Sequence, residues 1–338
     1  MTVVAAACGG DSGDSASEGE TAGTVGAEVQ SGVREALSSS SSTGSTTSAV
    51  KEPASIEDWE KLWAGERAAV IKRIRDNKWG KSADGKTLTG PEGFTVDLTK
   101  CAPGWSDTEG LTDTEIKIGA PVALSGFNAD SSNVHKTTQA WLKYQSDKGA
   151  FKDSTGKNRT VDLMVRDDAY DTARTIPLVD GFLDSEKAFA IWTQGTPSGL
   201  KVYDKINQRC VPHPLVGGGS PAWGDPQNHP WTTGSNLSYN TEAVVWGAFI
   251  DEHIAELVAG DGMATVVGFV ANSDFGATYE SAFRTVLANS PNKAKIEFVT
   301  EKVEITAPTV TDPMTLRLQR LAHRRWWVHG LQRRSPFF

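Results

Sequence analysis

The chain has 338 residues, with 34 Lys and Arg against 42 Asp and Glu, and its formal charge of -8 excludes the chain-wide basic field that holds a polyphosphate backbone. No apolar run reaches the roughly 18 residues that cross a bilayer as a helix. The 33 Gly, 15 Pro and 11 Trp, with 22% charged residues, describe a loop-rich globular chain of the exported kind, longer than one ordinary domain.

Residues 1–8 end in Ala5, Ala6, Ala7 and Cys8, followed by a Gly/Asp/Ser tail. This resembles the end of a bacterial lipoprotein signal, with Cys8 as the lipid-carrying thiol and the membrane as partner. The basic and apolar regions of such a signal do not precede it, which fits a start codon placed too far downstream. Read without that resemblance, Cys8 is an ordinary residue in a disordered start. Residues 9–54 are Ser, Thr, Gly, Ala and acids without apolar periodicity, including the run Ser38 to Ser42. Such a segment cannot bury enough surface to offset its ordering entropy, so it reads as a disordered linker. Behind an anchor it is a stalk.

Residues 55–111 form an N-terminal helical extension and loop. Ser55 to Asp58 has the spacing of a capping box, and Ile56, Trp59, Leu62, Trp63, Val70 and Ile74 recur at helical spacing to about Asn77. Gly80 to Thr87 fits the phosphate-loop pattern G-x-x-x-x-G-K-S/T. Context refuses an NTPase. That loop needs a buried strand before it and a helix after it, whereas a surface-type helix precedes it and Leu88-Thr-Gly-Pro-Glu-Gly93 follows.

Residues 112–236 alternate strand and helix. Strands are expected over Glu115–Ile118, Val161–Val165, Ala188–Thr193 and near Val211–Val216. Helices are expected over Val134–Lys148, with Ala140, Trp141 and Tyr144 inward, over Thr172–Leu183 and over Ser198–Asn207. This order argues for an α/β fold with a parallel sheet covered on both faces, whose binding sites lie at the carboxyl ends of the strands. The loop Gly217–Leu237 looks like a crossing between two lobes. Residues 237–316 begin a second alternation, with helix Thr241–Leu257, strand Ala264–Val270, helix Phe275–Leu287 and strand Lys295–Thr300. Residues 317–338 hold six Arg, no Lys and no acid. They read as a basic tail or, the reading preferred here, as out-of-frame text after a shift near Leu316.

Catalytic patterns are missing: there is no H-E-x-x-H, C-x-x-C or G-x-S-x-G. Gly218-Gly-Ser-Pro-Ala222 approaches a nucleophile elbow, but Pro221 removes a backbone donor after Ser220. His135, His213, His229 and His253 are scattered and read as satisfied surface or core residues. Asp167 and Asp168 read as loop supports at a strand end, with paired acid chemistry as the alternative. No metal or cofactor is implied. Cys101 and Cys210 are expected to pair as a disulfide in an exported protein, or else to be buried thiols. Thr196 and Ser198 follow the third strand where a helix begins, so hydroxyls and free N–H groups there suit a ligand carboxylate. Gly217, Gly218, Gly219 and Ser220 follow the next strand and either let backbone approach a ligand closely or serve a plain turn.

Several runs together resemble the type 1 periplasmic solute-binding proteins of ABC importers, in the branched-chain amino acid and amide subgroup. They are Thr112-Asp-Thr-Glu-Ile-Lys-Ile-Gly119 into Leu124-Ser-Gly126, Val165 to Asp171 with Ala173-Arg-Thr175, and Gly195-Thr-Pro-Ser198 with Tyr203. Cys210-Val-Pro212, Trp223 to Trp231 and Asn272-Ser-Asp-Phe-Gly276 complete them. The resemblance spans about 112–314 and implies two Rossmann-like lobes with parallel sheets, 112–236 as lobe 1 and 237–316 as a partial lobe 2. It implies a non-enzymatic, extracytoplasmic protein that passes an amino acid or small amide to permease subunits. By position, Thr196 holds the ligand carboxylate, and Gly217 and Ser220 lie in the segment contacting carboxylate and ammonium. Phe275 is the lobe 2 aromatic, and Tyr239 lies in the crossing loop. Gly217 to Gly219 stand where the family often has Thr or Ala, and the acid that pairs with the ammonium lies beyond Leu316. Two other readings remain: a sensor of the same fold, and a hydrolase with Ser220 as nucleophile.

Overall fold

The computed structural model describes residues 4–6, 53–153, 155–304 and 311. Cys8, residues 9–52 of the linker and the 317–338 tail lie outside the described residues, and with them the lipidation, stalk and reading-frame expectations. β1 (Val4–Ala6) lies parallel to a strand of the second alternation. α1 (Ile56–Asp76) starts where the capping spacing predicts, with Ser55 Oγ accepting the Asp58 N–H at 3.2 Å. Its apolar residues find no cover: none of the helix is buried. β2 (Gly80–Lys81), β3 (Thr87–Thr89) and β4 (Thr95–Asp97) form an antiparallel sheet. The phosphate-loop look-alike is therefore a hairpin turn, in which Asp84 accepts from the Ser82 hydroxyl and the Lys86 N–H.

β5 (Glu115–Val122), α2 (Asn133–Asp147), β6 (Thr160–Asp167), α3 (Thr172–Asp184), β7 (Ala190–Ile191), α4 (Thr196–Gln208), β8 (His213–Val216) and β9 (Thr232–Gly234) follow. β6, β5 and β7 are parallel in that order, and β8 pairs parallel with β9. A bridge between Gln194 and Gly217 and a bond from Ile191 N–H to the Pro212 carbonyl join the two groups into one sheet. Met164, Val179, Phe182, Ile191, Val202 and Ile206 fill the layer between this sheet and α3 and α4.

α2 corrects one expectation. Ala140, Trp141 and Tyr144 are all exposed, the two rings at 53%, and His135, Leu142 and Ser146 face the sheet instead. Hydrogen bonding turns the helix this way. The Gln139 amide donates to the Leu163 carbonyl at 2.7 Å, and Ser146 Oγ accepts the Val161 N–H at 3.0 Å. These two backbone groups on β6 thereby find polar partners on the face of α2 turned to the sheet.

The second alternation holds α5 (Tyr239–Glu252), α6 (Ile254–Leu257), β10 (Ala264–Ala271), α7 (Asp274–Asn289) and β11 (Ile296–Val303). β1, β10 and β11 are parallel in that order. Ala243, Ile250, Val266, Phe283, Val286 and Leu287 form the core of this lobe. The single helix expected over Thr241–Leu257 is broken at His253 and starts earlier, so Tyr239 opens α5 rather than lying in the crossing loop.

Cys101 and Cys210 are joined as a disulfide, and the Trp105 indole donates to the Cys210 carbonyl at 3.0 Å. The bridge ties the N-terminal extension to the end of α4 across a separation of 109 residues. Cys101→Ala with Cys210→Ala should therefore lower unfolding free energy by about 2–5 kcal/mol in a urea titration, and reductant should bring the parent to the same midpoint.

Candidate functional site

Each strand of the lobe 1 sheet delivers the residues that follow it to one cleft of about 420 Å³. Asn128, Ser131 and His135 follow β5, Tyr170 follows β6, and Trp192 to Thr196 follow β7, Thr193 not lining the cleft. Gly217 and Gly218 follow β8, and Ser235 and Asn236 follow β9. Tyr239 and Phe275 of lobe 2 complete the lining. β5 lies between β6 and β7, so the chain leaves the sheet in opposite directions there and opens a crevice at the carboxyl edge. The volume suits a small molecule.

Thr196 is the first residue of α4 and is 2% exposed, with its Oγ1 3.0 Å from the Tyr239 hydroxyl. First-turn amides of a helix have no intrahelical acceptor, so the hydroxyl sits among donors at the positive end of the helix. Two glycines fix this contact. A methyl group on Gly218 would lie 2.7 Å from Thr196 Oγ1, and one on Gly219 would lie 2.5 Å from the Tyr239 ring. The glycine run thus makes room for the protein's own side chains. Gly218 N–H donates to Asn236 Oδ1 at 3.2 Å.

The lobe 2 wall is aromatic. The Tyr239 ring lies 5.1 Å from Phe275 and 5.9 Å from Tyr279, centroid to centroid. Burial above all raises the Tyr239 pKa, so its hydroxyl remains a neutral donor and acceptor, and burial pushes Tyr279 up to about 12 with Glu242 adding to it. On the lobe 1 side the His135 ring packs on Trp192 at 4.1 Å, and the Trp192 indole donates to the Leu215 carbonyl at 2.8 Å. His135 is 2% exposed, and burial lowers its pKa to about 4, leaving it neutral near pH 7. No charged side chain lines the cleft among the described residues. Among them, too, no group of three His, Cys, Asp or Glu could hold a metal ion.

The cleft brings together Thr196, Gly217, Gly218, Tyr239 and Phe275 of the expected site residues; Ser198 and Ser220 lie elsewhere. Ser198 is 1% exposed, with Oγ 3.1 Å from Thr175 Oγ1, whose hydroxyl donates to the Asp168 carboxylate. Two residues along a helix turn a side chain by roughly 200°, so Thr196 and Ser198 face opposite ways. Ser220 accepts the Ala222 N–H and lines a neighbouring cavity of about 710 Å³ with Trp223, Asp225 and His229. His229 lies between Asp204 at 2.7 Å and Asp225 at 3.5 Å, so acids rather than Ser220 hold that imidazole. Asp167 accepts from the N–H groups of Leu124, Ser125 and Ala169, and Asp168 from Tyr170, which makes the pair loop supports. Tyr170, His135 and Gln194 went unread in the sequence as site residues. For Tyr170 and Gln194 the signal was position, each three residues beyond a strand's carboxyl end, whereas His135 lies inside α2 and gave no such signal.

The family profile described as periplasmic binding protein matches residues 115–316, more than half of the chain. The chain belongs to the periplasmic binding protein family. It is similar to a fatty acid ABC transporter substrate-binding protein from Thermomonospora curvata, at 15% identity and a TM-score of 0.52, over 65% of this chain and 53% of that one. It is also similar to a branched chain amino acid ABC transporter from Thermus thermophilus with bound valine, at 16% identity and a TM-score of 0.50, over 62% and 50% of the two chains. No curated protein sequence matches it. What these similarities share is the type 1 periplasmic binding protein fold, and this chain spans about half the length of those structures.

In this binding protein a second buried imidazole supports the cleft from beneath. His213 is fully buried, with Nε2 2.8 Å from Thr193 Oγ1 and Nδ1 3.3 Å from Thr232 Oγ1, and burial lowers its pKa to about 3. The unfolded chain protonates both histidines near the ordinary 6.5, while the fold protonates His135 near 4 and His213 near 3. Stability is then fully present above pH 6.5 and declines as pH falls through that window, by up to about 1.4 kcal/mol per pH unit for each ring. Thermal unfolding from pH 7.5 to 4.5 should show this slope, and His213→Asn should flatten it.

Proposed function

We propose that this protein captures a small carboxylate-bearing solute between its lobes, an amino acid of the branched-chain type or a small amide of similar size, and delivers it to the permease of an ABC importer. The carrying observation is Thr196 at the start of α4, its hydroxyl paired with that of Tyr239 in the cleft lining. A carboxylate placed there accepts from the two hydroxyls and from first-turn amides, which are charge-assisted bonds of the stronger kind. Because Thr196 belongs to lobe 1 and Tyr239 to lobe 2, a ligand bridging them binds the closed arrangement better than an open one and shifts the population toward it. No bond is made or broken. Membership of the periplasmic binding protein family and the Cys101–Cys210 bridge support an extracytoplasmic site of action.

Thr196→Ala should weaken any carboxylate ligand found in a calorimetric screen of amino acids about ten-fold and leave urea and simple amides unchanged. Gly218→Ala, which presses on the same hydroxyl, should act in the same direction. Equal affinity of parent and Thr196→Ala for every carboxylate would remove the anchor.

Lipid attachment at Cys8 belongs to this reading as the tether. Processing before Cys8 would remove β1, so the lipidated form and the β1–β10 pairing exclude one another. Labelled palmitate should enter the expressed protein and be lost in Cys8→Ser.

A further inference from the structure

None of α1 is buried over its 21 residues, about 32 Å of helix. Ile56, Trp59, Trp63, Val70 and Ile74 recur three, four or seven residues apart and so form one apolar stripe along it. The Trp59 and Trp63 rings lie 5.5 Å apart on this stripe, and Ile56, Trp63, Val70 and Ile74 are exposed. A continuous exposed apolar surface of this length marks a contact with something else.

The charges of the helix say with what. Lys61 pairs with Asp58 and Lys72 with Asp76 inside α1. Among the described residues, the charges of α1 left without an ion pair are Glu57, Glu60 and Glu66 in its first half and Arg67, Arg73 and Arg75 in its second. One half is acidic and the other basic, so the helix complements itself turned end for end. When two such helices lie antiparallel about a two-fold axis between Glu66 and Arg67, Trp59 comes level with Ile74 of the other helix and Trp63 with Val70. Each acidic half then lies along a basic half, whereas a parallel pair would set acid on acid. A bilayer fits the stripe less well. Glu66 and Arg67 stand between Trp63 and Val70 on the apolar side, and the five acids of α1 balance its five bases, so nothing draws it to an anionic surface.

We propose that α1 pairs antiparallel with α1 of a second copy of this chain, which joins two binding units through their N-terminal extensions.

Sedimentation equilibrium of the full chain tests the pairing. The parent should sediment as a reversible dimer, and Trp63→Asp should weaken that dimer about a hundred-fold or more, because the two-fold axis removes two rings at once. Glu57→Lys with Glu60→Lys and Glu66→Lys makes all six unpaired charges basic, and Arg67→Glu with Arg73→Glu and Arg75→Glu makes all six acidic. Each triple variant alone should dimerise about ten-fold more weakly or worse. An equimolar mixture of the two should regain the dimer as a heterodimer, which a helix that had merely unfolded would not do. Thermal unfolding of the lobes should be the same in every variant, since none of α1 is buried. A monomeric parent overturns the pairing, and so does a monomeric parent that co-sediments with phosphatidylglycerol vesicles, which makes the stripe a membrane contact. A dimer untouched by Trp63→Asp overturns it as well and moves the interface to another face. A mixture of the triple variants that stays monomeric overturns the antiparallel arrangement.

Discussion

A parallel sheet places all its strand ends on one edge, and that edge decides where this protein can bind anything. Residues following β5, β6, β7, β8 and β9 converge there, although they come from positions 128 to 236 of the chain. Convergence is a consequence of strand direction and needs no special motif. It also leaves helix starts at the same edge, because each crossover begins where a strand stops.

On this edge the closest approach is between Thr196, Gly218 and Tyr239. Side chains at Gly218 and Gly219 would collide with Thr196 and Tyr239, so the two lobes meet through a hydroxyl pair 3.0 Å apart. The polar layer behind is satisfied within the protein, with Ser198, Thr175 and Asp168 bonded to one another and His213 held between two threonines. Two side chains of the cleft lining also carry buried atoms without a partner, the ring nitrogens of His135 and Gln194 Oε1. The satisfied layer keeps the wall of the cleft rigid.

Two helices leave apolar faces open. Val245, Trp246 and Phe249 on α5 remain exposed, as do Ile56, Val70, Ile71 and Ile74 on α1. Sequence periodicity correctly makes these segments helices, yet it does not say whether an apolar face is covered.

The sequence alone determined the alternation of strands and helices, the cap at Ser55, the refusal of the phosphate loop and the positions of Thr196, Gly217, Gly218 and Phe275 beyond strand ends. These follow from local rules: periodicity of two or 3.6, capping spacing and the fate of glycine and proline. The rotation of α2 did not: Gln139 and Ser146 bond to β6 while Trp141 and Tyr144 stay exposed, and those β6 partners are distant in the chain. Nor did the split between Thr196 and Ser198, which depends on α4 starting at Thr196 rather than two residues later. His135 looked like any lone histidine until the fold buried it against Trp192 with no partner for its nitrogens. Local structure is written in neighbouring residues; which polar atoms go unpaired is set by groups far apart in the chain, and only their packing brings that to light.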